Sequence, residues 1–253
     1  MTLIECAQVT KAYGGLAAVK ELSFAVDEGE FLAIVGPNGA GKTTLFDGIS
    51  GLSPVTSGRV ELNGQRIDHE SPSSICRMGL ARTFQTTSAF DSQNLITNVV
   101  ISAGFGRAGG AGWRRFDDES LGAGLEALEF VGLADAQDEI AGVLPVLDRK
   151  KLMLATALAT RPRVLLLDEP FGGLNAAERG AFVDVLRVVL ASGVTVLMIE
   201  HVMKAVLALA TRVLVLHHGE LLTDGSPDVV LRDPRVVEVY LGSTASSMIR
   251  GQQ

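Results

Sequence analysis

Residues 36–43 read G-P-N-G-A-G-K-T, set between the unbroken apolar run F-L-A-I-V at 31–35 and L-F-D-G-I-S-G-L at 45–52. Two glycines with four residues between them, then Lys and Thr, match the pattern of a phosphate-binding loop. That pattern has meaning only where a buried strand enters and a helix leaves. The flanking runs meet both conditions, so this part of the chain is committed to a strand, loop and helix in an α/β layer. Backbone N–H groups and the helix N-terminus then form an anion cradle, with Lys42 reaching the terminal phosphates and the Thr43 hydroxyl completing a magnesium shell. The glycines let the main chain approach its ligand with no Cβ between them.

The remainder of the chain agrees with such a layer. Residues 3–35 hold short apolar runs broken by G-G at 14–15 and D-E-G-E at 27–30, a pattern of strands and turns, and Asn63-Gly64 inside R-V-E-L-N-G-Q-R-I signals a tight hairpin. From 151 onward helical and strand patterns alternate: K-L-M-L-A-T-A-L-A, V-L-L-L-D, A-F-V-D-V-L-R-V-V-L, V-T-V-L-M-I-E and V-L-V-L. Buried strands joined by helices imply a mostly parallel sheet. Residues 86–143 differ, with a Gly- and Ala-rich patch at 103–112 and helical spacing in L-G-A-G-L-E-A-L-E-F-V-G-L, and we expect a helical insertion with a flexible internal loop.

A second chemical signal is V-L-L-L-D-E-P at 164–170, an apolar strand ending in two acids. Alone it would be a strand and a turn. Downstream of a phosphate loop, Asp168 is placed to hold magnesium and Glu169 to polarise a water for attack on a γ-phosphate.

Bulk composition excludes several classes. The formal net charge is −7 and the basic residues form no cluster, which argues against a nucleic-acid partner. The longest apolar runs, such as 188–199, fall short of the roughly 20 residues a membrane span needs. Cys6 and Cys76 lie far apart behind no basic, apolar leader, which fits a reducing cytoplasm better than a disulfide framework.

Read in order, Tyr13, G-P-N-G-A-G-K-T-T, Gln85, V-L-L-L-D-E-P, G-G-L-N at 172–175 and His201 resemble the nucleotide-binding subunits of ATP-binding-cassette transporters over nearly the whole chain. The strings A-R-T-F-Q, I-E-H-V-M and H-H-G-E-L-L-T-D-G-S-P-D-V-V sharpen this toward the branch serving branched-chain amino acid uptake. The resemblance implies a P-loop NTPase core at 1–85 and 151–253, with an N-terminal antiparallel β subdomain and a helical subdomain at 86–150. It implies that Tyr13 stacks on adenine and that Gly36, Pro37, Asn38, Gly39, Ala40, Gly41, Lys42, Thr43 and Thr44 hold the phosphates of ATP. Thr43, Gln85 and Asp168 would serve Mg2+, Glu169 would act as general base, and His201 would contact the γ-phosphate. Gln85 would also link ATP state to polytopic permease subunits at the cytoplasmic face of the membrane.

In this family a signature segment, L-S-G-G-Q or L-P-Y-G, begins a helix that faces the ATP of a second ATPase subunit. Counting back from Asp168, L-P-V-L-D at 144–148 takes that position. Leu147 replaces the glycine that allows close backbone approach, and Asp148 adds a negative charge facing an anion. A weak signature follows, hence a heterodimer with one degenerate ATP site. Two competing readings are a soluble cassette ATPase outside transport and a regulatory subunit that holds ATP with little turnover.

Overall fold

The computed structural model describes residues 1–85, 89–106 and 117–239. Along the chain the first elements are β1 (Thr2–Tyr13), β2 (Leu16–Asp27), β3 (Phe31–Val35), α1 (Lys42–Ile49), β4 (Ser57–Leu62) and β5 (Gln65–Arg66). Then come α2 (Pro72–Arg77), β6 (Leu80–Thr83), α3 (Leu95–Gly106), α4 (Asp118–Phe130), α5 (Val146–Leu158), β7 (Val164–Asp168) and α6 (Ala176–Ala191). The last are β8 (Thr195–Ile199), α7 (Met203–Leu209), β9 (Arg212–His217), β10 (Glu220–Gly225) and α8 (Pro227–Arg232). The chain is thus mixed α/β, and it divides into two compact units, Met1–Glu70 with Leu197–Gln253, and Ser71–Val196.

In the first unit, β2, β1, β4 and β5 form an antiparallel sheet in that order. Val19, Leu22, Phe24 and Val26 of β2 are buried, close to the two-residue alternation of a sheet with one covered face. The Asn63-Gly64 turn joins β4 to β5 with φ of 51° and 73°, the paired positive angles that a two-residue hairpin loop favours. Strand β3 behaves differently. All five of its residues are buried and it pairs in parallel with β9, whose other neighbour is the antiparallel β10. A run with no polar alternation needs cover on both faces, which is why F-L-A-I-V ends up inside.

Just beyond β5, the Asp68 side chain is fully buried and receives two hydrogen bonds from the Arg66 guanidinium, at 2.8 and 3.0 Å, and one from the Val60 amide at 3.2 Å. Burial pushes its carboxyl up, but these hydrogen bonds outweigh it and hold the group below the usual carboxylate range. A depressed folded-state value adds stability that is present above the unfolded-state value and lost as pH falls through the folded one. Asp68→Asn is therefore expected to cost about 1–2 kcal/mol at neutral pH. That gap should close in acid below about pH 4. Urea unfolding of both proteins at neutral pH and in acid checks this, and a constant gap would contradict it.

In the second unit β6 and β7 pair in parallel, with Leu80 opposite Val164 and Thr83 opposite Leu167. Ser71 caps α2 by accepting from the Ser74 amide at 3.2 Å, with Pro72 at the first helical position. Helices α3, α4 and α5 pack on one another, and each buries small residues, Ala103 on α3, Ala123 and Ala127 on α4 and Ala155 on α5. Helix α6 opens with a capping box in which the Asn175 side chain accepts from the Glu178 amide, while Glu178 accepts from the Asn175 amide. Phe171 meets Phe182 of α6 edge to face at 5.5 Å, fixing the helix to the turn that follows β7. The Gly- and Ala-rich patch enters α3 as far as Gly106; from 107 to 112 it lies outside the described residues.

Candidate functional site

The expected site residues are divided between the two units. In the first, β3 delivers the chain into the loop 36–41 and α1 begins at Lys42. Gly41 occupies the helix N-cap at φ 100° with no side-chain cap, and the positive end of the α1 dipole points into the loop, a setting that favours an anion. A Cβ on Gly41 would lie 2.2 Å from the carbonyl oxygen of Ala18. Strand β2 therefore presses directly on the loop. The loop is braced again where the Gly219 amide donates to the Ala40 carbonyl at 3.1 Å and the Gly219 carbonyl accepts from the Lys20 amide at 2.8 Å. Lys42 is buried and its Nζ donates to the carbonyls of Gly36 (2.8 Å) and Pro37 (3.0 Å), so the ammonium spans the loop it belongs to.

Around this loop the polar side chains face outward. Asn38 and Thr43 are exposed and Thr44 is half-buried. Tyr13 ends β1 with its ring exposed, the Lys11 ammonium 5.0 Å from the ring centroid and the hydroxyl 3.4 Å from Ser53 Oγ. His201 follows β8 with its side chain 61% exposed.

The acids belong to the second unit. Asp168 is the last residue of β7 and buried, and Arg82 Nη2 donates to its Oδ2 at 2.8 Å; the two side chains are 5% and 6% exposed. The Arg82 guanidinium carbon also lies 5.1 Å from the Phe84 ring centroid. Glu169 has φ 45°, a left-handed conformation that costs a non-glycine residue about 1–2 kcal/mol. It turns the chain off the strand immediately after Asp168, and Gln85 Nε2 donates to Glu169 Oε2 at 2.8 Å. Two adjacent acids are thus held by two residues three apart, Arg82 within β6 and Gln85 just beyond it. Among the described residues no group of three or more His, Cys, Asp and Glu could by itself hold a metal.

Residues 144–148 do open a helix. Leu144 is buried, Pro145 is the N-cap of α5, and Leu147 and Asp148 are half-buried in its first turn. Asp148 sits 3.4 Å from Lys151, and the next residue, Arg149, forms an ion pair with Asp91. An acid in the first turn also favours its own helix dipole.

Sequence reasoning assigned no role to Arg82, although it stands in A-R-T-F-Q three residues before Gln85. A basic residue inside a strand that reads as buried was the available signal, since a buried charge requires a partner.

A phosphate loop between a fully buried strand and a helix, in a chain where another buried strand ends in adjacent acids, defines a phosphate-loop nucleotide-binding cassette. The model of the ABC transporter family matches residues 19–172, and that of the branched-chain amino acid ATP-binding cassette transporters matches residues 220–246. The chain belongs to the ABC transporter family, as an ATPase cassette. It is 33% identical over 255 residues to the high-affinity branched-chain amino acid transport ATP-binding protein BraF of Pseudomonas aeruginosa, covering 95% of this chain and 98% of that one. Identity with the corresponding LivG protein of Escherichia coli is 32% over 239 residues, covering 91% and 94%. Among solved structures, a nucleotide-free ATP-binding cassette from an ABC transporter superposes with a TM-score of 0.85 at 29% identity, covering 96% of this chain and all of that one. A cassette in its ADP conformation gives 0.86 at 28% identity, again over 96% of this chain.

Nucleotide binding makes the pressure on Gly41 measurable. Gly41→Ala adds strain of about 1–2 kcal/mol for the left-handed backbone, plus overlap with a carbonyl. ATP affinity is expected to fall at least about 30-fold. Gly39→Ala, where an added methyl meets open space at φ 81°, isolates the strain part and should cost less. Calorimetric titration of both variants with ATP tests the difference.

Proposed function

We propose that this chain is the ATP-hydrolysing subunit of a membrane uptake system for branched-chain amino acids or similarly small polar solutes. The observation that carries the catalytic part is the Gln85 to Glu169 hydrogen bond of 2.8 Å, one residue beyond the buried Asp168. It holds a carboxylate in a strained turn, available to accept a proton from the attacking water. Asp168, with the Thr43 hydroxyl and the Gln85 amide, offers the hard oxygen donors that magnesium takes, and the ion neutralises charge on the phosphates. Gly36 through Thr44 cradle the triphosphate, Lys42 moves from its loop carbonyls to the terminal phosphates, Tyr13 stacks on adenine and His201 contacts the γ-phosphate. In this reading 1–85 and 151–253 form the nucleotide-binding core, and 86–150 the helical subdomain.

The solute class follows from relatives named for branched-chain amino acid transport that match nearly end to end. The same relatives, named for transport, support docking of the chain on polytopic permease subunits at the cytoplasmic face; no described helix is long and apolar enough to cross a membrane. The helix-opening segment 144–148 keeps the expected position but presents Leu147 and Asp148 in place of glycine and a neutral residue, which favours a heterodimer with one degenerate site. The purified chain alone is expected to hydrolyse ATP at less than about a tenth of the rate it supports within its membrane complex, the loss attending an incomplete electrostatic site. Equal rates would refute the heterodimer, and vesicles that take up no labelled leucine in the presence of ATP would refute the solute class.

A further inference from the structure

Glu200 directly follows β8 and its side chain is fully buried. Its Oε2 accepts from the His201 amide at 2.7 Å and from the Val202 amide at 2.7 Å, and stands 3.7 Å from His201 Nδ1. Its own amide donates to the Ile34 carbonyl at 3.4 Å, joining this end of β8 to β3 two residues before the phosphate loop. Helix α7 begins at Met203, and its N-cap, Val202, supplies no side-chain cap. One buried carboxylate therefore holds two successive amides of the turn that carries His201. Short hydrogen bonds to an ionised acceptor are the strong kind, and they offset the desolvation of the carboxylate only while the turn keeps this path.

We propose that Glu200 is a positioning residue for ATP hydrolysis, acting through His201. Its carboxylate sets the main-chain path of the exposed histidine and lies on the Nδ1 side of the ring. This rests on the phosphate-contacting role proposed above for His201. The sequence alone gives no hint of it, because a Glu before a His reads as an ordinary surface acid until burial is known.

The test is a cycle of Glu200→Gln, His201→Ala and the double variant in the intact membrane complex, with kcat and KM for ATP measured separately. Glu200→Gln preserves size but removes the charge, and should lower kcat about tenfold while KM stays within about twofold, the signature of an interaction made at the reacting phosphate. In the His201→Ala background the same change should be nearly silent, less than about twofold, because two residues acting as one unit are not additive. Wild-type kcat in Glu200→Gln beside an impaired His201→Ala overturns the proposal. So does a double variant whose loss equals the product of the singles, which would mark Glu200 as merely structural. Full activity in His201→Ala would instead overturn the role assigned to the histidine. Unchanged binding of a fluorescent ATP analogue and an unchanged urea midpoint in Glu200→Gln are expected; a parallel fall in both would also mark a structural role.

Discussion

Glu169→Gln is expected to slow ATP turnover by about 10²- to 10⁴-fold, the range over which a positioned general base contributes. Nucleotide affinity should hardly change. The substitution keeps the length of the side chain, and an amide oxygen can still accept the 2.8 Å hydrogen bond from Gln85, so the turn after β7 keeps its reason to exist. Only proton acceptance is lost. Glu169→Gly separates strain from chemistry at the same place. It relieves the φ of 45° and should raise stability by as much as about 1 kcal/mol while removing activity entirely. Stability gained at a site where function is lost is the expected trade when strain serves a mechanism. Single-turnover hydrolysis, ATP titration and urea unfolding on the three proteins check these outcomes. Turnover of Glu169→Gln near the wild-type rate would make this chain's own ATP site regulatory.

The second large effect concerns Arg82. Both members of the Arg82–Asp168 pair are almost completely buried, so removing the cation leaves a carboxylate with neither water nor its counter-charge. Arg82→Met is expected to destabilise the protein by about 3–5 kcal/mol, the cost of breaking rather than replacing a buried pair. Adding Asp168→Asn to that variant should return most of the loss, because the stranded charge goes with it. Urea unfolding of the four proteins gives the coupling directly. Additive losses would show that Arg82 stabilises through its packing on Phe84 instead. The pair bears on function as well: it fixes the end of β7, and Asp168 and Glu169 are consecutive.

The local pieces of this site were legible because each depends on neighbours in the chain. F-L-A-I-V is too apolar to face water, the glycines after it permit one loop shape, and Lys42 and Thr43 follow at a spacing that a helix start converts into a cradle. V-L-L-L-D-E carries its own strand and two acids in the same way, whereas the helix start at L-P-V-L-D, where α5 begins at Val146, was implied only by the family resemblance. Less legible were the partners. Arg82 meets Asp168 across 86 positions, and Gln85 meets Glu169 across 84, through the parallel pairing of β6 with β7. No periodicity within either segment encodes that register.

The amino-acid sequence by itself determined that this chain builds a phosphate loop on a buried strand and places a pair of acids at the end of another, since short-range sterics and apolar patterning suffice for both. The tertiary structure alone decided that Arg82 neutralises one acid, that Gln85 holds the other in a left-handed turn, and that Glu200 is buried under the turn bearing His201. The reason is physical: burial and charge pairing are properties of segments distant in the chain, and which charges lose their water is settled only when those segments pack.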